Sequence, residues 1–298
     1  DTSSDTPEAD TDTDTDTDSD TDTDSDTDTD TDTDTDTDTV VVAVDYRERG
    51  PFEVAHSSES ESLSTGCAAS FELYEPVGGE GGPVVILGHG FARGTAQLSG
   101  WSDHFATWGL TVAALSMCSL SDHASNGEDM VALGGVLDGG AGVIYGGHSA
   151  GGLSAVIAGS LDSGALAVVG LDATDASDLG LSAAAGLVVP TFGIVGEPST
   201  CNSDGNGVDI YERAGQRVLR VSDADHCDFE DETDGLCTWF CPSGTGAFSD
   251  ASIQATIRGL STSAMVEQGG LGVGIAAWWE PGGEYYEALV GSGALVVP

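Results

Sequence analysis

Residues 142–152 read GVIYGGHSAGG, and within them Gly147-His148-Ser149-Ala150-Gly151 fits the pattern G-x-S-x-G. A serine hydroxyl becomes a useful nucleophile only when a neighbouring base takes its proton. The pattern carries weight where the serine sits on a tight turn from a buried strand into a helix. Flanking glycines then remove side chains that would clash, and the helix N-terminus favours a developing oxyanion. Ser149 is therefore the candidate nucleophile. The base should be a histidine later in the chain, and of the six histidines only His226, in VSDADHCDFED, follows Ser149. The third group should be a carboxylate at a strand end between the two. Asp172 (VVGLDATD), Asp175 three residues on, and Glu197 (GIVGEPS) all qualify. A second segment, VILGHGF at 85–91, ends an apolar run in His89-Gly90-Phe91. Its Phe91 amide, with the amide of Ala150 after the serine, would supply the two donors of an oxyanion hole.

Such a constellation needs a rigid sheet behind it. Residues 68–76, 83–88, 110–116, 142–147, 165–171, 188–195 and 217–221 read as strands. Several are continuous apolar runs, the mark of strands buried on both faces. Helices are expected over 95–108, over 122–137 with Asp122 as N-cap, from about 150, and over 251–267. Strand–helix alternation of this kind implies an α/β fold with a mostly parallel sheet covered by helices on both faces. The stretch around Trp278 and Trp279 and the C-terminus give no clear pattern. Of the tryptophans, Trp101 and Trp239 have the best positions to line a substrate pocket, and the others read as core.

Charge narrows the function classes. The chain carries 51 acidic and seven basic residues, a net −44, and all seven basic residues are arginine. A nucleic-acid binder needs a cationic face to displace counterions, and attraction to anionic lipid needs the same. Both are excluded as expectations, and no run is long and apolar enough for a membrane-spanning segment. Residues 1–39 hold 17 aspartates and Glu8, with Thr-Asp alternation from Asp10 onward. With no apolar surface to bury, they read as an extended acidic spacer. A Ca²⁺-binding tail fits less well, because the glycine turn and bidentate Glu of an EF-hand loop are missing. Residues 40–298 then form one catalytic domain with a net −26. A tail of this type is expected just behind a removed export signal or lipid anchor, which points to a secreted or cell-surface protein.

Six cysteines suit disulfides in that setting, although six allow 15 connectivities. Cys67 and Cys118 are a candidate pair by elimination. Cys201, Cys227, Cys237 and Cys241 should form two bridges stapling the loop of His226, with partners left open. A zinc site at His226, Cys227, Cys237 and Cys241 lacks the paired short spacings such sites use.

Together, LYEP…VVILGHGF, GGHSAGG, GLDATD and DADHCDFED resemble the α/β-hydrolase superfamily over roughly residues 68–230. Within it the chain resembles the serine esterases around chlorophyllases, platelet-activating-factor acetylhydrolases and cutinase-like polyester hydrolases. The resemblance implies an α/β-hydrolase fold, a Ser149–His226–Asp172 triad, a small-molecule or polymeric ester as substrate, and neither metal nor organic cofactor. Many enzymes of this fold place the acid one strand later, at Glu197 here. Asp172 agrees with the first two groups and departs from the polyester hydrolases. A polyester- or lipase-type activity, or a non-catalytic surface module on the same fold, are the alternatives.

Overall fold

The computed structural model describes residues 43–79, 81–241 and 246–298. The acidic spacer expected at 1–39 lies outside the described residues.

The continuous apolar runs form the middle of a nine-stranded sheet of order β1-β2-β4-β3-β5-β6-β7-β8-β9. Its strands are β1 (Val54–Ser62), β2 (Ala68–Pro76), β3 (Val84–Gly88), β4 (Thr111–Ser116), β5 (Val143–His148), β6 (Ala167–Leu171), β7 (Thr191–Val195), β8 (Arg217–Val221) and β9 (Leu295–Val296). From β4 through β8 every pairing is parallel, while β1, β2 and β9 are joined antiparallel at the two edges. Strands β3, β5, β6 and β7 are buried at every position.

Alternate residues of these strands feed two cores. Val85, Leu87, Ile144 and Val169 point to one face. There they meet Trp101 and Phe105 of helix α1 (Ser99–Thr107) and Leu260 and Met265 of a long C-terminal helix (Asp250–Gln268). Val84, Ile86, Tyr145 and Val168 point to the other face. They pack on Met130 and Leu133 of α2 (His123–Leu137) and on Ala155 and Val156 of α3 (Ala150–Leu161). Short helices α4 (Leu179–Ala184), α5 (Val208–Ala214) and α6 (Gly235–Phe240) follow α3, so the long helix is α7. Helices α8 (Ile275–Trp278) and α9 (Glu284–Ser292) complete the C-terminal segment. Trp278 is fully buried there and stacks on Tyr285 at 4.2 Å. Asp122 caps α2 by accepting from the Ser125 amide, as its position suggested. Among the described residues no helix is long and apolar enough to cross a membrane.

Strand β1 is absent from the sequence reading. Its residues, VAHSSESES, are mostly exposed and carry no apolar alternation. It is held as an edge by its register with β2, Val54 to Pro76 through Ser62 to Ala68.

The end of the sheet where β5 turns into α3 depends on an unusually close approach. A Cβ on Gly147 would lie 2.6 Å from the Gly88 carbonyl oxygen, and one on Gly151 would press into the Gly88 backbone and within 2.7 Å of the His89 oxygen. The start of α3 therefore rests directly on the ends of β3 and β5, with no side chain between them. Gly151→Ala should cost about 1–3 kcal/mol, because backbone rather than a flexible side chain must move. A melting temperature equal to wild type in calorimetry would show that the approach is not a constraint.

Candidate active site

Ser149 links β5 to α3 with φ +55° and ψ −118°. Positive φ is uncommon for a residue with a Cβ and costs of order 1–3 kcal/mol, so surrounding contacts must hold it. Its N–H donates to the Leu171 carbonyl at 3.0 Å, and its carbonyl accepts from Leu153 at 3.0 Å. This turn points Oγ toward His226. The Ser149 hydroxyl lies 2.9 Å from His226 Nε2, and His226 Nδ1 lies 2.6 Å from Asp172 Oδ2. Both bonds are buried. With the carboxylate accepting from Nδ1–H, Nε2 is left as the acceptor for the serine proton.

Of the three candidate carboxylates, the structure brings Asp172 to the imidazole. Asp172 Oδ1 also accepts from the Gly196 amide at 3.0 Å, and its Oδ2 from Asn202 Nδ2 at 3.1 Å. The carboxylate is thus fixed by the end of the neighbouring strand. Asp175 instead accepts from the amides of Gly180 and Leu181 at the start of α4. Glu197 turns its carboxylate to the Asp223 amide at 3.4 Å. Asn202 was not legible as a site residue. It is buried inside a run of turns at Thr200–Gly205, and only folding places it against Asp172.

Phe91 and Ala150 flank the serine, and among the described residues neither backbone amide donates a hydrogen bond. His89 holds the segment that leads to Phe91: its Nδ1–H donates to the Gly90 oxygen at 2.8 Å and its Nε2 accepts from the Met117 amide at 3.1 Å. Burial lowers the His89 pKa, consistent with this neutral tautomer. His148, inside the serine motif, is buried with its ring 4.5 Å from that of His226. Burial, then the neighbouring His226, push its pKa well below the usual histidine value, so it packs there uncharged.

His226 opens a single 3-10 turn, His226–Phe229, capped by Asp225, which accepts from the amides of Cys227 and Asp228. Two disulfides bind this segment, Cys227–Cys237 and Cys201–Cys241, and a third, Cys67–Cys118, lies away from it. The described cysteines are all paired. The expectation of two bridges around the histidine and a separate Cys67–Cys118 pair agrees with this arrangement. Cys227, Cys237 and Cys241 do cluster, but as bridged sulfurs rather than thiolate ligands.

A cleft of about 360 Å³ opens beside Ser149 and His226, with Phe91, Leu236, Phe240 and the Cys201–Cys241 bridge among its walls. The tryptophans expected to line it do not. Trp101 is fully buried, donating its indole N–H to the Phe229 oxygen at 2.9 Å, and so supports the histidine turn from beneath. Trp239 points outward at 74% exposure, because α6 turns its Leu236 and Phe240 toward the cleft. No protein-family model matches the chain, and no curated protein matches its sequence.

The histidine turn also carries a pH-dependent cost. Burial, reinforced by the charges of Asp225 and Asp250, raises the Asp228 pKa to about 7. The folded state therefore holds this proton more tightly than the unfolded chain, whose value is near 3.8. Stability from this group is full below the lower value and is lost as pH rises through about 7. Asp228→Asn removes the ionisation. Its melting-temperature advantage over wild type should grow between pH 4 and pH 7 and then level off, about 2–4 °C for each kcal/mol relieved. A constant offset across a pH series would contradict this.

Proposed function

We propose that the protein is an exported serine hydrolase of carboxylic esters with an α/β-hydrolase fold. The observation that carries this reading is the buried Ser149–His226–Asp172 hydrogen-bond chain, 2.9 and 2.6 Å, at the mouth of an apolar cleft. The parallel sheet adds support, with the serine after its fifth strand and the HGF segment after its third. Asp172 follows the strand next to that of the serine, as in the chlorophyllase and platelet-activating-factor acetylhydrolase groups. Disulfides and the absence of a membrane-crossing helix among the described residues are compatible with an extracellular setting.

In this mechanism His226 takes the Ser149 proton as Oγ attacks the ester carbonyl, and Asp172 stabilises the imidazolium. The amides of Phe91 and Ala150 hold the tetrahedral oxyanion. The intermediate expels the alcohol, which receives the proton from His226, leaving an acyl-serine. Water, deprotonated by the same histidine, then releases the carboxylic acid and restores the hydroxyl.

A fluorophosphonate probe should label the wild-type protein and fail to label Ser149→Ala. Hydrolysis of p-nitrophenyl butyrate should fall by several orders of magnitude in the same variant. Asp172→Asn should lose on the order of 10³–10⁴ in kcat, whereas Glu197→Gln should keep nearly full activity. An unlabelled wild-type chain would overturn the reading, and a collapse confined to Glu197→Gln would overturn the choice of acid.

The walls of the cleft set the acyl preference. Each methylene buried there should contribute about 0.8 kcal/mol, roughly fourfold in kcat/KM, until the cleft is filled. Leu236→Asp should flatten that series for p-nitrophenyl esters while sparing the acetate. An acetate-preferring wild type would place the acyl group elsewhere.

A further inference from the structure

Arg93 lies two residues beyond Phe91, at the end of the oxyanion segment, where its amide closes a turn onto the Gly90 oxygen at 3.1 Å. Its guanidinium does not face solvent. Nε and Nη2 donate to Glu230 Oε1 and Oε2, each at 2.6 Å, in the two-pronged geometry that suits a carboxylate. Glu230 is fully buried, and the Arg93 side chain is 10% exposed. Glu230 directly follows the histidine turn, and its amide donates to the Cys227 oxygen at 3.0 Å. The same Nη2 reaches Asp234 Oδ1 at 2.9 Å, the residue that caps α6 and with it the wall carrying Leu236 and Phe240.

We infer that Arg93 is a positioning residue whose paired hydrogen bonds to Glu230 lock the oxyanion segment to the histidine turn. This rests on the serine-hydrolase reading above. Phe91 and His226 come from strand ends far apart in the chain, and the two must hold one geometry about the same tetrahedral carbon. The backbone contacts that fix Ser149 fix neither of them relative to the other. A buried ion pair bridging the two loops fixes both, and its fork specifies orientation as well as distance. Lysine could keep the charge but not the fork. The interaction is also one-sided, since loss of Arg93 leaves the fully buried Glu230 without its charge partner, whereas loss of Glu230 leaves the guanidinium on Asp234.

The oxyanion donors act on the transition state more than on the bound ester. A displaced Phe91 amide should therefore lower kcat and spare KM. Arg93→Lys should reduce kcat for p-nitrophenyl acetate by about 10- to 100-fold, the scale of a small misplacement at a reacting centre. KM should stay within about twofold. Affinity for an alkyl boronic acid, which forms a tetrahedral adduct on the serine, should fall in parallel with kcat. Glu230→Gln should behave the same way. Asp234→Asn, which removes Arg93's second carboxylate and weakens the α6 cap, should lower acetate kcat less than Glu230→Gln does and raise KM for longer acyl esters.

A readout independent of turnover comes from hydrogen exchange in the Ser149→Ala background. Adding Arg93→Lys should speed exchange of the peptides covering 89–93 and 226–230 together and leave the β5–β7 peptides protected. If Glu230→Gln fails to fold, the Arg93→Lys data decide. Unchanged kcat with unchanged exchange in both loops would overturn the inference. So would a loss of turnover with boronic-acid affinity and loop exchange intact. Coupled exchange, alongside a wild-type protein that no fluorophosphonate labels, would instead uphold the lock and remove the hydrolase reading.

Discussion

Ser149 keeps its hydroxyl clear of the sheet only while α3 lies against the ends of β3 and β5 without an intervening side chain. That contact passes through Gly88, Gly147 and Gly151, where an added Cβ would meet backbone atoms. The positive φ at Ser149 is a local cost that the turn cannot offset alone. The Leu171 carbonyl, from β6, and the amide of Leu153, one turn into α3, tie the strained residue to the rigid part of the molecule. The same approach has a second consequence. The chain leaving β3 runs straight into His89, Gly90 and Phe91, so the contact that places the serine also sets where the segment carrying Phe91 begins. On the serine-hydrolase reading proposed above, two of the three groups around the tetrahedral centre thus share one backbone reference.

The third, the imidazole, has no such reference. His226 follows β8, near the edge of the sheet, in a turn of four residues rich in polar groups. Its apolar anchor is mainly Phe229, fully buried in the core that also holds Trp101. A single neutral hydrogen bond contributes about 1 kcal/mol net, too little to hold a loop against its own chain entropy. Covalent and ionic ties make up the difference. The Cys227–Cys237 and Cys201–Cys241 bridges close loops of 10 and 40 residues, and each crosslink of this type typically contributes about 2–4 kcal/mol. The bridges restrain the segment from the side of α6 and Cys201, since neither begins on the Phe91 side of the cleft. Arg93 and Glu230 restrain it from the Phe91 side across 137 residues of sequence, beside the backbone bonds that join Asp231 to Gln97 and Gly100.

These differences in restraint decide what the sequence reveals. Strands β3, β5, β6 and β7 are legible because burial on both faces leaves a largely apolar run, while β8, which carries Arg217 and Arg220 and is partly exposed, still begins and ends at the expected residues, Arg217 and Val221. Strand β1 is not, since an exposed polar edge is defined by its partner's hydrogen bonds and not by its own side chains. Ser149 is legible because the elbow must be written locally, in glycines within two residues of it. His226 is legible by elimination, as the one histidine beyond the serine.

The carboxylate shows where such reasoning stops. Asp172 and Glu197 both close strands, and nothing in their spacing says which strand end faces the imidazole. The choice is made by groups distant in sequence. The Gly196 amide and Asn202 converge on Asp172 and aim it at Nδ1, while the Asp223 amide draws Glu197 away. Gly196 immediately precedes Glu197, so the second candidate's own strand end furnishes a donor that holds the first in place. One strand end therefore serves as support for the acid on its neighbour. Substituting Glu197 leaves that backbone amide intact, which is why the two carboxylates, though close in the fold, occupy different functional positions.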